Sequence, residues 1–240
     1  ADTVSRNGNA EAEVMLIAIR AQANIVGTFE QGQGAPGGYV IPDDSRIYSD
    51  LLVYEAASGG AKHGDKVVER ITQYPDGRRP LMGEVIEVLG GKDEAGTDIL
   101  SVIRRMDLPE AFTKASLRQA RTLNKPVDAD AIARREDLRG QCIITIDGAD
   151  AKDLDDAVSL KKMKDGWLLG VHIADVSYYV HPGTALDADA YKRGTSVYFP
   201  DRVLPMFPPE VSNGVCSLNE GTEKLTLSCF MEIGKNGKVL

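Results

Sequence analysis

The sequence predicts a β-rich α+β chain: a small five-stranded barrel, a helical connector, and a second, mixed α/β region. Three observations predict it. Five short strand-like runs punctuated by Gly and Pro fill residues 24–90, the hydrophobic period turns helical from Thr97, and β-like runs return near Gly140. At 240 residues, 42% hydrophobic and 27% charged, the chain can bury a core in each of two domains. No apolar run approaches the roughly 20 residues that a membrane span needs, so no membrane partner is expected.

Residues 1–23 read as the tail of a preceding domain or a linker, a polar stretch followed by "EVMLIAIRAQA" as a strand or short helix with nothing before it to pair with. The barrel is assigned to 24–92 from "NIVGTFE", "GGYVIP", "DLLVYEA", "DKVVERITQY" and "GEVIEVLG". Its Gly-rich "EQGQGAPGG" lacks the GxxxxGK[ST] pattern and no helix follows, which makes it a flexible connection rather than a phosphate cradle. The connector, 93–138, carries "TDILSVIRRM" and "LPEAFTKASLRQARTL" at helical spacing, with Thr97 as an N-cap and Pro109 near a helix start; "VDADAIARRED" adds a short helix.

From residue 139 the pattern is again β-rich. "QCIITID" reads as a strand, "AVSLKKM" and "WLLGVHIADVSYYV" as a hairpin about a Lys-Asp-Gly turn, and "TALDADAYKRG" as a helix capped by Thr184 and ended by Gly194. "KLTLSCFMEI" is a further strand, "GKNG" a turn, and "KVL" the start of a return strand. That unfinished hairpin and the absence of an initiator Met predict an internal fragment of a longer protein.

The net charge of −8 and a pI near 5.0 weigh against a polyanionic partner unless charge is segregated. It is: residues 101–140 hold Arg104, Arg105, Lys114, Arg118, Arg121, Lys125, Arg134, Arg135 and Arg139, although such a run is more often a solvated helical face than a binding stripe. The first residues lack the basic start and apolar centre of a secretory signal. Cys142, Cys216 and Cys229 are odd in number and have no CxxC or nearby His, so a reduced, cytoplasmic protein is expected, its cysteines serving as small buried hydrophobes.

The chemistry is concentrated in "TIDGADAKDLDDAVSL", which places Asp147, Asp150, Asp153, Asp155 and Asp156 within ten positions. Four carboxylates converging to about 5 Å would repel by roughly 3 kcal/mol per pair at an effective dielectric of about 20. Six such pairs rival the whole stability of a domain, about 5–15 kcal/mol. The acids must be splayed into water, partly protonated, or bound to cations. The flanking "IITI" and "AVSL" read as half to fully buried, which limits splaying and favours cations. Oxygen donors without His or Cys suit Mg²⁺ or Mn²⁺ rather than zinc. An EF-hand fails, because Ala149 and Ala151 stand where a loop from Asp147 needs oxygen ligands, and Val158 stands where one from Asp153 needs glycine. Acid clusters of this kind serve phosphodiester chemistry, in which two metal ions activate water and stabilise the leaving oxygen. Metal-neutralised carboxylates also remove the charge objection to a nucleic-acid partner.

"TIDGADAKDLDDAVSL", "GVHIADVSYYVHPGTALD", "RGTSVYFPDRVLPMFPPEVSNGVCSLNEG" and "KLTLSC", spanning roughly 139–240, resemble consecutive blocks of the RNB catalytic domain of the ribonuclease R and ribonuclease II family, closer to the ribonuclease R branch. "IPDDSRIYSDLLV" and "GDKVVERITQYPDGR" resemble strands of the cold-shock, OB-type domain that precedes it. The resemblance implies a Mg²⁺-dependent, processive 3′-to-5′ exoribonuclease that releases 5′-mononucleotides from single-stranded RNA and RNA with 3′ overhangs, monomeric in the parent enzyme. It implies that Asp147, Asp153, Asp155 and Asp156 bind metal, with Asp155 indispensable, and that Tyr198 stacks on a base beside the scissile phosphate. Asp150 matches none of the family's acids.

Tyr39 and Tyr54 are the expected RNA-stacking residues of the barrel, with Phe29 and Tyr48 as further candidates. His172 and His181 read as structural histidines and Asp175 as a residue that fixes backbone geometry. Ser212 and Cys216 lack triad partners. The resemblance also places the family's catalytic arginine beyond Leu240, so weak or no activity is expected of the fragment itself. The alternative reading is a non-catalytic RNA-binding module with a structural or vestigial metal site.

Overall fold

The structure, a computed structural model, describes residues 3–6, 9–12, 16–18, 20, 23–32, 37–77 and 79–240. Residues 1–108 and 109–240 form two compact units, and the stretch expected as a connector divides between them. The first unit begins with a hairpin of β1 (Thr3–Arg6) and β2 (Asn9–Ala12), in a stretch that reads as mostly polar. The strand or helix expected over "EVMLIAIRAQA" lies partly outside the described residues, and those described within it, 16–18, 20 and 23, have no regular structure.

The five expected barrel strands all form: β3 (Asn24–Gln31), β4 (Gly37–Pro42), β5 (Leu51–Tyr54), β6 (Asp65–Gln73) and β7 (Met82–Gly91). β3 pairs with β4 and β6, β4 with β5, and β6 with β7; a parallel contact between β5 and β7 closes the barrel. Alternation turns Ile25, Phe29, Val40, Leu51, Val53 and Val67 inward, each contributing about 1.5–3 kcal/mol of burial. Phe29 is therefore a core residue, which corrects its candidacy for RNA contact. Gly27 and Gly38 allow β3 and β4 to pass closely, since a Cβ on either would lie 2.3 Å from a carbonyl oxygen of the paired strand.

Glu69 breaks the apolar pattern. It shares the inward side of β6 with Val67, is fully buried, and neither carboxyl oxygen has a hydrogen-bond partner. Burial raises its pKa to about 8.

α1 (Thr97–Arg105) packs on the barrel, and its Arg104 forms a two-pronged ion pair with Glu87 of β7 at 2.6 and 2.8 Å. Its N-cap is Gly96, at φ 88°, rather than Thr97; Thr97 is buried inside the first turn, where its carbonyl accepts from Ser101 Oγ.

In the second unit, α2 (Lys114–Leu123) starts five residues after Pro109. Thr113 fixes that start, its side chain accepting from the Ser116 amide, so the cap outweighs the expected proline start. α2 packs against α5 (Ala185–Arg193), where Thr184 and Gly194 are the expected caps, and Ala120 and Leu186 lie fully buried in the shared core. α3 (Ala129–Ala133) is capped by Asp128.

The main sheet has the order β13 (Thr226–Gly234), β10 (Gly166–Ala174), β9 (Asp156–Lys162), β8 (Ile143–Ile144). Beyond the expected turn, Val239 returns to bridge Ile233. One sheet face carries His172, whose ring nitrogens contact Ser159 Oγ at 3.0 Å and Ser228 Oγ at 2.8 Å; burial holds the imidazole below its usual pKa. The other face presents Leu160, Trp167, Ile173 and Leu227 to solvent. Asp175 caps α4 (Val176–Tyr179) and binds Arg135 at 2.6 Å, a structural role. His181 is exposed.

Two expectations fail here. β8 is only two residues long and exposed at the edge of the sheet, so "IITI" does not wall in the acidic loop. Cys142 and Cys229 are exposed, and only Cys216 is buried; all three are free.

Glu69 generates a prediction. A carboxyl whose folded pKa is raised from 4.5 to about 8 stabilises the barrel fully below about pH 4.5, and that stability is lost as pH rises through about 8. The loss is a few kcal/mol, because each tenfold change in proton affinity is worth about 1.4 kcal/mol. Barrel amide protection by hydrogen exchange should fall across this window in the wild type and stay flat in Glu69→Gln.

Candidate active site

The acidic segment is a loop entering β9, and it is held from two sides. Ser217, fully buried, accepts from the Leu154 amide at 3.0 Å and donates to the Lys152 carbonyl at 2.9 Å. The Leu218 amide donates to the Leu154 carbonyl at 2.8 Å, and the Ala174 amide at the end of β10 donates to the Asp155 carbonyl at 2.9 Å. Leu154 lines a cavity of about 1150 Å³ beneath the sheet, together with Ala157, His172 and Phe230. Alternation of an extended chain then leaves Asp153 and Asp155 on the side away from Leu154.

The acids act on one another. Asp155 is held above the ordinary carboxylate range, first by desolvation and then by the charges of Asp153, Asp156 and Asp147. These are the four candidate metal ligands; Asp150, exposed in the turn where the Ala151 amide meets the Gly148 carbonyl, is not among the charges acting on Asp155. Among the described residues no three His, Cys, Asp or Glu side chains form a ready metal cage. The donor set nevertheless fits a hard cation: all four candidates offer oxygen, and every charge acting on Asp155 is negative.

Tyr198 lies in β11 (Val197–Tyr198), which pairs only with β12 (Val203–Leu204). The residue is 64% exposed, and its hydroxyl donates to Asp153 Oδ2 at 2.6 Å. Its pKa is raised by that bond, by desolvation, and by the charges of Asp153 and Asp155. The structure thus joins Tyr198 to the acids. Tyr39 and Tyr54 belong to the other unit, exposed on the outward face of β4 and β5 beside Ile41 and Leu52; Tyr48 is almost fully exposed in the loop between those strands.

Ser217 is the functional residue that sequence reasoning passes over. Its neighbours Ser212 and Cys216 draw attention as nucleophile types, yet Ser212 donates to Asn213, and burial pushes the Cys216 thiol up to about 12. Nothing in "GVCSLNE" marks Ser217 except a hydroxyl between two apolar residues. In the basic run, Arg104, Arg121, Arg135 and Arg139 are engaged in ion pairs, in keeping with a solvated, structural face.

Comparison with known proteins matches both halves of the chain. Residues 135–240 match the RNB domain and residues 39–113 a cold shock domain. Ribonuclease R of Thermotoga maritima is 44% identical over 236 residues, 97% of this chain and 33% of that protein, so the chain spans about a third of the length of this curated relative. The structure of Mycoplasma genitalium RNase R in complex with ribose-methylated single-stranded RNA superposes with a TM-score of 0.85 at 26% identity, covering 98% of this chain and 37% of the other. Yeast Ssd1, described as a pseudonuclease, shares the fold alone, with a TM-score of 0.72 at 18% identity over 94% of this chain and 29% of its own. The chain therefore carries a cold shock domain followed by an RNB domain and is similar along nearly its whole length to ribonuclease R.

Proposed function

We propose that this chain carries the acidic half of a 3′-to-5′ exoribonuclease site that hydrolyses RNA phosphodiesters to 5′-mononucleotides. The observation that carries the reading is Asp155, destabilised as an anion first by desolvation and then by its three acidic neighbours, in a loop whose backbone Ser217 ties down. Asp147, Asp153, Asp155 and Asp156 would hold Mg²⁺ or Mn²⁺. Such ions, when bound, activate water and stabilise the leaving oxygen. The chain's own contribution is placement: the backbone anchors keep the carboxylates from separating, and the exposed Tyr198 ring offers a base-stacking surface next to Asp153. The outward tyrosines of the barrel, Tyr39 and Tyr54, supply a sequence-tolerant RNA surface.

The second reading, RNA binding without hydrolysis, draws on the exposed barrel tyrosines, which need no metal. The presence of the fold in a pseudonuclease adds to it. The two readings separate on activity. In the parent protein, Asp155→Asn should lower Mg²⁺-dependent mononucleotide release from 3′-accessible single-stranded RNA by at least about a hundredfold. Equal degradation by wild type and variant would leave the binding reading.

Both readings predict RNA affinity for the 240-residue chain. Tyr39→Ala and Tyr54→Ala should each weaken binding of a single-stranded oligoribonucleotide by about 1–3 kcal/mol in fluorescence anisotropy. Affinity should also fall with added salt, as phosphate contacts require; no RNA affinity at any salt concentration would contradict both readings.

A further inference from the structure

Resting on the metal-dependent reading above, we propose that the Tyr198 hydroxyl and the divalent cation exclude one another at Asp153, so that cation binding releases the Tyr198 ring to receive an RNA base. The phenol O–H lies 2.6 Å from Asp153 Oδ2, giving this carboxylate the partial positive charge that a cation would otherwise give it. The same hydroxyl feels the charge of Asp155.

The tie has few competitors. Tyr198 stands on a two-residue strand with a two-residue partner and is mostly exposed, so the bond of its hydroxyl to Asp153, beside a lesser side-chain contact with Ser196, holds the ring tip. While it holds, the ring tip is tied to an unneutralised carboxylate, and the field of the acids repels the phosphate attached to any base that would stack there. A cation that takes Asp153 changes both conditions together, freeing the hydroxyl and neutralising the field. Cation and RNA then strengthen each other's binding, and linkage makes the effect reciprocal.

Two variants separate this from a purely stacking or packing role. Tyr198→Phe keeps the ring and removes the hydroxyl; Tyr198→Ala removes both. With Mn²⁺ as the probe, free ion being followed by electron paramagnetic resonance in the 240-residue chain, both variants should bind it more tightly than wild type. The gain should be about tenfold, the size expected from a charge-assisted hydrogen bond. With a ribose-methylated single-stranded oligoribonucleotide in chelator, Tyr198→Phe should bind more tightly than wild type and Tyr198→Ala more weakly. Mn²⁺ should then strengthen RNA binding less in Tyr198→Phe than in wild type. Equal or weaker Mn²⁺ binding by Tyr198→Phe, with wild type binding normally, overturns this inference alone. A wild-type chain that takes up no Mn²⁺ overturns it together with the reading on which it rests.

Discussion

The site depends on one constraint, the clamping of residues 152–155 between Ser217 and the end of β10. Ser217 accepts from the Leu154 amide and shares its hydroxyl proton between the Lys152 carbonyl and Asn219 Oδ1, and the Ala174 amide donates to the Asp155 carbonyl. Each such bond is worth only about 0.5–1.5 kcal/mol net. Together with the Leu218–Leu154 contact they oppose a repulsion of similar size that would otherwise spread the acids into solvent. Because Ser217 is buried beside the apolar core containing Cys216, opening the loop would also expose or orphan its hydroxyl.

The chain carries two carboxyl conflicts of different kinds. Asp155 is penalised by desolvation and, in addition, by three neighbours of like charge that a cation would neutralise. Glu69 is penalised by burial alone, inside the barrel, with no partner for either oxygen. Local conflicts of this sort cluster at functional sites in natural sequences. That rule accounts for Asp155; nothing in the structure explains Glu69. The two units also differ in what they expose, tyrosines on the outer face of the barrel and acids on a loop tied to a sheet.

Much of the fold was legible because its signals are local. The five barrel strands, the 156–174 hairpin and the caps of α5 follow from alternation, turn glycines and the Thr184 hydroxyl. Signals that depend on tertiary context were lost. Phe29 looks like a surface aromatic until the inward parity of β3 is fixed by its pairing with Val40. "IITI" has the composition of a buried strand, but only two of its residues pair, at an exposed edge. Thr97 and Pro109 are plausible helix starts, and Gly96 and Thr113 supply the actual caps. At the site, the acids could be seen in the sequence, whereas Ser217 and the Tyr198–Asp153 bond join residues 63 and 45 positions apart, which no spacing argument reaches.

The central claim is that the loop forces its carboxylates to share a field that a divalent cation relieves. Carbon-detected NMR titration of the Asp155 side chain, in cation-free solution and with Mg²⁺, tests it most directly. The account predicts a carboxyl that titrates above 3.8 without cation and shifts downward when Mg²⁺ is added. An Asp155 that titrates at the ordinary value and ignores Mg²⁺ would contradict it.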